Sequence, residues 1–329
     1  MVEIELDGKK VEVPPGSMVM DAANKLGTYI PHFCYHKKLS IAANCRMCLV
    51  EVEKAPKPLP ACATPVSPGM IVRSHSDKAV QAQKSVMEFL LINHPLDCPV
   101  CDQAGECDLQ NFAFEHGVST TRYEEERRTF EKIDIGPYVQ LHMTRCILCY
   151  RCVYTANQIT DGRVHGVLGR GDAAEIGTYI ENAIDNDFSG NVIDVCPVGA
   201  LTDKTFRFKS RVWFTKPVNA HRECTHENCT GHVTLWYKGK DVLRVTARKD
   251  EYGEVKEWIC NECRFEKKET SDWVIEGPAH IDRSSVISAN HYELPVLNAQ
   301  VIADLPESTV RELEQNPPLK LGGPDGTSF

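Results

Sequence analysis

Fifteen cysteines give this 329-residue chain its capacity for chemistry, and they fall into four groups along the sequence. The groups are Cys34, Cys45, Cys48 and Cys62; Cys98, Cys101 and Cys107; Cys146, Cys149, Cys152 and Cys196; and Cys224, Cys229, Cys260 and Cys263. The first residues show no signal-peptide pattern, so we expect a soluble, unexported chain whose thiols stay reduced. Reduced thiols grouped in this way indicate metal ligands rather than disulfides.

The first group has the spacing C-x10-C-x2-C-x13-C. Two iron atoms need four thiolates around a small rhomb, and plant-type ferredoxins supply them from one loop and one distant segment, as this spacing does. The alternative is a zinc site, although structural zinc sites usually show two C-x2-C pairs and this group has one. The first group therefore predicts a [2Fe–2S] cluster.

The second group has only three cysteines, which leaves one iron of a cubane without a thiolate. His94, separated from Cys98 by three residues, is placed to be the fourth ligand, and a neutral imidazole would make the cluster one unit less negative. Asp97 is a rival ligand, and an open or water-bound iron is a third option. A surface histidine at a helix end is the alternative for His94, and spacing alone leaves these choices open.

The third group has the spacing C-x2-C-x2-C-x43-C-P. Three close thiolates hold three corners of a cubane, and the cysteine before a proline closes a fourth corner, which in two-cluster ferredoxins belongs to the other cluster. Only one such triad is present, so we expect Cys196 to complete the same [4Fe–4S] cluster. Arg145 and Arg151 either offset the cluster's charge or are ordinary surface arginines.

The fourth group consists of a C-x4-C pair and a C-x2-C pair on either side of a predicted hairpin that turns at Gly239. Such an arrangement is typical of a zinc ribbon, and it would also serve a [4Fe–4S] cluster. His232 is a further possible ligand. The remaining alternative is four reduced structural cysteines left from a lost site.

The elements that must position these groups predict an α+β chain. Alternating apolar residues over 2–13 with an Asp7-Gly8 turn predict a hairpin, a helix should begin at Ser17 and end at Gly27, and further strands follow at 49–52 and 70–72. These elements suggest a β-grasp ferredoxin-like domain. A second helix is expected over 77–93, with an apolar face formed by Ala79, Val86, Phe89 and Leu90.

We expect five regions. They are a [2Fe–2S] domain at 1–78, a [4Fe–4S] domain at 79–118, a ferredoxin-like [4Fe–4S] domain at 119–215, a zinc-ribbon-like or 4Fe–4S molybdopterin-oxidoreductase-type domain at 216–275, and a tail at 276–329. The tail is rich in proline and glycine, which indicates either an extended arm on a partner or partial disorder.

Composition and missing motifs exclude several functions. A net charge of −9 with no basic stripe argues against binding nucleic acid, and no apolar run is long enough to span a membrane. Neither G-x-G-x-x-G after a strand nor G-x-x-x-x-G-K-[ST] occurs, so we expect no NADH or flavin site in this chain. Clusters without a hydride-handling cofactor indicate an electron carrier inside a larger complex.

Five motifs resemble the 75 kDa-subunit family of NADH:quinone oxidoreductase, respiratory complex I, whose bacterial member is the G subunit. They are NCRMCLVEVE at 44–53, PACATP at 60–65, HPLDCPVCDQAGECDLQ at 94–110, RCILCYRC at 145–152 and GNVIDVCPVGAL at 190–201. The resemblance covers about residues 1–215.

The resemblance implies a [2Fe–2S] cluster on Cys34, Cys45, Cys48 and Cys62. It implies one [4Fe–4S] cluster on His94, Cys98, Cys101 and Cys107, and another on Cys146, Cys149, Cys152 and Cys196. It also implies electron relay from an FMN- and NADH-binding subunit toward quinone, coupled to proton translocation by the whole complex. The partners would be that subunit and others of the peripheral arm, at the cytoplasmic face of the membrane and without a membrane span in this chain.

Two departures from the family pattern concern the C-terminal part. The family's optional further cluster uses C-x2-C-x3-C-x27-C, whereas Cys224 and Cys229 are spaced differently and His232 stands near the expected third cysteine. The fourth site is therefore expected to hold zinc, a further [4Fe–4S] cluster or nothing. The molybdopterin-enzyme-like region is absent from this sequence, which suggests a short form.

Two other functions compete with this interpretation. The diaphorase-side iron–sulfur subunit of an NAD-linked hydrogenase or formate dehydrogenase shares the first three groups, but it usually ends soon after them, so residues 216–329 favour complex I. A zinc-stabilised scaffold without a redox role would be colourless and would hold zinc at every site.

Overall fold

The computed structural model describes residues 1–118, 120–131, 133–159, 165–178, 184, 186–250 and 252–279. All fifteen cysteines and His94 lie within these ranges. From residue 280 onward the predicted tail lies outside the described residues, and the region boundaries given above stay predictions.

The N-terminal part is a five-stranded mixed sheet with a helix across it. Its elements are β1 (Val2–Leu6), β2 (Lys9–Val13), α1 (Val19–Leu26), β3 (Leu49–Val52), β4 (Leu59–Pro60) and β5 (Ile71–Arg73). The strand order is β2-β1-β5-β3-β4, in which β1 and β5 are parallel and the other pairs are antiparallel. The expected ferredoxin-like α+β domain is confirmed.

Local sequence explains most of this sheet. Asp7 and Gly8 both have positive φ, as a tight hairpin turn requires, so apolar residues of β1 and β2 face the helix together. The helix ends at Gly27 in the left-handed conformation, as predicted. Its start was predicted one residue too early: Met18, not Ser17, is the N-cap, because Asp21 accepts a hydrogen bond of 2.8 Å from the Met18 N–H.

The middle part is mostly short helices and two-stranded ladders. The helices are α2 (Asp77–Leu91), α3 (Asp108–His116), α4 (Arg151–Gln158) and α5 (Asn191–Val195). The strands are β6 (Val139–Leu141), β7 (His165–Leu168), β8 (Glu175–Thr178) and β9 (Leu201–Asp203), paired as β6–β9 and β7–β8.

Helix α2 differs from its prediction in the face that it buries. Ser76 caps it by accepting the Ala79 N–H, and Ala79, Gln83 and Met87 form the buried row at four-residue spacing. Phe89, which was expected on the apolar face, is 71% exposed because it lies well off that row. In the part of the chain that the structure describes, no helix is long and apolar enough to cross a membrane.

The C-terminal part is a four-stranded antiparallel sheet. Its strands are β10 (Lys216–His221), β11 (His232–Lys238), β12 (Asp241–Ala247) and β13 (Val274–Pro278), in the order β12-β11-β10-β13. The predicted hairpin is present as β11 and β12, which turn at Gly239 with positive φ. A wide turn at Glu262–Glu266 follows β12 and carries the last cysteine.

Candidate metal centres

The first cysteine group lies in a buried loop beside the N-terminal sheet. Cys34, Cys45 and Cys48 come from the segment between α1 and β3, and Cys62 comes from a turn after β4. Ala43 and Arg46 have positive φ, a costly conformation that bends the loop around the thiols. The structure thus brings together the four residues that the sequence selected.

The thiols of the first group are close enough to shift one another's pKa. Hydrogen bonds from the thiols of Cys45 and Cys62 lower the pKa of Cys34 to about 2. The same contacts with Cys34, and then those with Cys48, raise the pKa of Cys62. If all four were thiolates at this distance they would repel one another, and metal ions between them, as in a [2Fe–2S] cluster, would offset that repulsion.

The second group surrounds a cavity of about 390 Å³, whose lining includes His94, Cys98, Cys101 and Cys107. Burial, and next the positive charge of Arg145, lower the pKa of His94 to about 4, so its imidazole is neutral at physiological pH. Its Nδ1 is buried and has no hydrogen-bond partner among the described residues. A neutral ring with an unsatisfied buried nitrogen fits a metal ligand.

Asp97, the rival ligand, is held by another group. Arg145 donates from Nε and Nη2 to the same Asp97 oxygen, each at 2.9 Å. Asp97 also lines the cavity, but its carboxylate is neutralised by this pair, whereas His94 Nδ1 has no such partner. The contacts favour His94 as the fourth ligand.

The third group lines a small apolar cavity that contains all four of its cysteines. Leu148 and Tyr150 have positive φ and alternate with the cysteines of the triad, while Cys196 follows directly after α5. Burial raises the pKa of Cys149 to about 12, so a thiolate forms here only with a compensating positive charge. A cubane supplies that charge to all four ligands.

Arg145 and Arg151 are buried, with 5% and 6% of their surfaces exposed, so the expectation of ordinary surface arginines is wrong. Arg145 lines the second cavity. Arg151 donates a hydrogen bond to the carbonyl of Tyr35, next to the first group. Each arginine therefore places a cation beside the thiolates, as the charge-offset alternative requires.

The first three groups meet in a single hydrophobic core. It includes Cys34 and Cys45 of the first group, Cys107 of the second, and Cys149, Cys152 and Cys196 of the third. Asn44 donates to the carbonyl of Leu148 at 2.8 Å, which joins the first and third loops. The Asp108 N–H donates to the carbonyl of Pro197 at 3.0 Å, which joins the second and third.

Sequence reasoning missed one residue between the second and third groups. A methyl group on Gly199 would overlap Cys101 Sγ, so the backbone that follows Cys196 lies directly against the second group. The signal was present in the run Cys196-Pro-Val-Gly199, but the long sequence separation from Cys101 concealed the contact.

The fourth group is compact. The thiol sulfurs of Cys224, Cys229, Cys260 and Cys263 all lie within 4.8 Å of one another. His232, the further candidate, lies outside this set: its Nδ1 is 3.5 Å from a carboxylate oxygen of Glu257. The structure therefore selects the four cysteines and leaves the histidine out.

Three protein-family models match the chain. A "2Fe-2S iron-sulfur cluster binding domain" matches residues 1–77, an "NADH-ubiquinone oxidoreductase-G iron-sulfur binding region" matches 83–122, and an "NADH-quinone oxidoreductase subunit 3, ferredoxin-like domain" matches 136–202. The presence of iron–sulfur binding domains of both cluster types is thereby confirmed.

The relatives agree with the family models. The G subunit of the NADH-quinone oxidoreductase from Rickettsia felis is 45% identical over 266 residues, which are 80% of this chain and 39% of that protein. The mitochondrial NADH-ubiquinone oxidoreductase 78 kDa subunit of Neurospora crassa is 47% identical over 267 residues, 80% of this chain and 35% of that protein. Over most of its own length, this chain is similar to part of the NADH-quinone oxidoreductase G subunits.

The similarity covers only part of these relatives, and one solved structure of another enzyme is also similar to this chain. The chain spans between a third and two fifths of the length of these relatives. A chain in a crystal structure of an NAD+-reducing [NiFe]-hydrogenase is also similar, with a TM-score of 0.58 and 28% identity, over 64% of this chain and 91% of that one. The identity of individual cluster ligands stays a prediction.

Proposed function

We propose that this chain is an iron–sulfur electron-transfer subunit of an NADH:quinone oxidoreductase. It would relay single electrons from the FMN-containing NADH dehydrogenase subunit toward quinone, and the assembled complex would couple that transfer to proton translocation. The proposed cofactors of its first three groups are one [2Fe–2S] and two [4Fe–4S] clusters. When bound, such clusters accept and pass on single electrons.

The observation that carries this proposal is the shared core of the first three groups. Cysteines of each group pack into one continuous cluster of buried side chains, and backbone or side-chain hydrogen bonds join neighbouring groups. A storage or scaffold role gives no reason to bring three metal sites into one core. Electron relay does, because transfer requires redox centres close together in a water-poor medium.

The protein's own residues perform three tasks in this relay. The thiols of the first three groups, with His94, would hold the clusters, and apolar side chains such as Leu141, Ile176 and Val198 exclude water from the third site. Arg145 and Arg151 place positive charge beside negatively charged ligand sets. Uneven ligand charge, with one imidazole at the second site, would give the sites different potentials.

Exposed apolar side chains around the second group support assembly with partners. Leu96, Val100, Phe114 and Val118 belong to this part of the chain and are all exposed. An apolar surface of this kind is usually covered in the working assembly. The proposed partners are the FMN- and NADH-binding subunit and other peripheral-arm subunits, at the cytoplasmic face of the membrane.

A second candidate is the iron–sulfur subunit of an NAD-linked hydrogenase. The specific observation in its favour is that the similar hydrogenase chain is covered almost completely by this one. The higher identity to the oxidoreductase relatives favours the first candidate. Hydrogen-dependent reduction of NAD+ by the purified native complex, without NADH-dependent quinone reduction, would decide for the hydrogenase.

The test uses Cys146→Ser in the assembled complex. We expect loss of most NADH-to-quinone turnover, because a hydroxyl is a poor cluster ligand, while NADH-to-ferricyanide activity persists at the flavin subunit. Ser85→Ala on the exposed side of α2 is the control for assembly and expression. Normal quinone reduction in Cys146→Ser would overturn the proposed role.

A further inference from the structure

The fourth group differs in geometry from the other three. Cys224 Sγ lies 3.6 Å from Cys260 Sγ and 3.7 Å from Cys263 Sγ, and Cys229 Sγ lies 3.9 Å from Cys263 Sγ. All four sulfurs lie within 4.8 Å of one another. Among the described residues, which include the first three groups, this is the one set of three or more His, Cys, Asp or Glu side chains whose ligand atoms are close enough to hold one metal ion.

These distances separate one metal ion from a cluster. A tetrahedral zinc ion with bonds of about 2.3 Å holds its sulfur ligands about 3.8 Å apart. Thiolates on the four irons of a cubane point outward from separate corners and lie roughly 6 Å apart. A two-iron cluster keeps two close pairs but separates one pair from the other. The observed spacing matches the single ion.

Neighbouring groups complete the site. The Cys260 N–H donates to Cys229 Sγ at 3.3 Å, and the Cys263 N–H lies 3.5 Å from Cys260 Sγ. The Arg222 guanidinium lies 3.9 Å from Cys263 Sγ and offsets part of the negative charge that four thiolates leave on a divalent ion. We propose that Cys224, Cys229, Cys260 and Cys263 bind one structural zinc ion, which lies outside the electron route.

The segment that carries Cys260 and Cys263 also supports a ligand of the third group. Asn261 accepts the Gly190 N–H at 2.9 Å, and its own amide donates to the Asn186 carbonyl at 2.8 Å. Arg264 is almost fully buried and pairs with Asp194, two residues before Cys196. The zinc ion therefore fixes the turn that holds α5 and Cys196 in place.

Metal analysis of the full chain tests the zinc site directly. Protein produced with iron and zinc supplied, and purified without oxygen, should contain about one zinc per chain. The Cys229→Ser variant should lose that zinc and keep its acid-labile sulfide. Cys98→Ser is the matched control, because it should lose iron and sulfide but keep zinc. Loss of about four irons and four sulfides from Cys229→Ser would overturn the proposal, as would an unchanged zinc content.

Zinc K-edge X-ray absorption on the unmodified chain avoids any folding defect of a variant. It should show four sulfur neighbours at about 2.3 Å. A shell with nitrogen or oxygen ligands would overturn the four-cysteine assignment. This result does not depend on the iron clusters, so a failed zinc site and a failed electron-transfer role would be told apart.

The supporting role toward Cys196 rests on the proposed cluster at the third group. Zinc-free Cys229→Ser should show an altered electron paramagnetic resonance signal from that [4Fe–4S] cluster, with the [2Fe–2S] signal unchanged. Signals identical to those of the unmodified protein would overturn the supporting role.

Discussion

At the scale of single residues, contacts between groups matter as much as the ligands themselves. The candidate ligands could be selected from the sequence because cysteine spacing is local, and the structure brings the members of each group together, while their role as ligands stays a prediction. The importance of Gly199 could not be predicted, because the residue that leaves no room for a side chain there is Cys101, in a distant part of the chain. Nor could the burial of Arg145 and Arg151, since both belong to a motif that is equally typical of a protein surface.

Gly199→Ala should damage the second site without touching a ligand. The added methyl group overlaps Cys101 Sγ, so that thiol must move away from the cluster position. We expect about four fewer irons per chain and loss of one [4Fe–4S] resonance signal. Gly166→Ala is the control, since nothing lies within 4 Å of its added carbon. Equal iron contents in the two variants would contradict the close approach.

His94→Cys should lower the potential of the second cluster. Replacing a neutral imidazole with a thiolate adds one negative charge, and we expect a fall on the order of 100 mV. A redox titration followed by electron paramagnetic resonance measures it. His75→Cys, at a position outside the groups, controls for an extra thiol. If both variants titrate like the unmodified protein, His94 is not a ligand.

At the scale of elements, periodicity predicted the hairpins well and helix faces less well. The two hairpins follow from alternation and turn residues alone. The buried face of α2 depends on what packs against the helix. Gln83 is therefore buried although it is polar, and Phe89 is exposed although it is apolar. The β1–β5 pairing joins distant segments in parallel, and no local signal specifies it.

A buried contact between His32 and Glu254 joins the loop before Cys34 to the segment after β12. His32 Nε2 lies 3.1 Å from a Glu254 carboxylate oxygen, and its Nδ1 lies 2.7 Å from the Ile30 carbonyl, so both ring nitrogens face acceptors. Burial alone would raise the pKa of Glu254, but the hydrogen bond and charge of His32, with Arg151, lower it to about 2.

Glu254→Gln should therefore destabilise the protein at neutral pH by about 2 kcal/mol. A depressed carboxyl pKa gives stability that is present above its unfolded value and lost as pH falls from about 4.5 toward 2. The difference in melting temperature between the unmodified protein and Glu254→Gln should therefore be no smaller at pH 5 than at pH 7. Glu53→Gln, at an exposed position, is the control. An equally small effect in both variants would show that the pair contributes nothing.

At the scale of the whole molecule, the cysteine groups are part of the hydrophobic core rather than attachments to it. Six predicted cluster ligands belong to the same core as Phe33 and Phe112. The C-terminal sheet has a separate core around Val233, Leu235 and Val245. Removal of iron should thus weaken the first core more than the second.

Anaerobic treatment with a ferrous-iron chelator tests this difference. We expect the iron-free protein to have a lower melting temperature. Its slowly exchanging amides should lie largely in β10, β11 and β12, because the packing of these strands does not depend on the first three groups. Hydrogen exchange with mass spectrometry locates the protected segments. Uniform protection across 1–203 in the iron-free protein would contradict a core built around the clusters.

Burial of the ligands also sets the order of biosynthesis. Among the twelve predicted iron ligands, only Cys98 is exposed, while Cys48, Cys62 and Cys196 are closed off by the fold. Clusters at these predicted sites would therefore have to be delivered before the chain finishes closing around them, and delivery would become a step of folding. On the proposed function, a cell that made this chain faster than its clusters would be expected to accumulate incompletely folded protein, open to proteolysis, rather than an empty reserve awaiting iron.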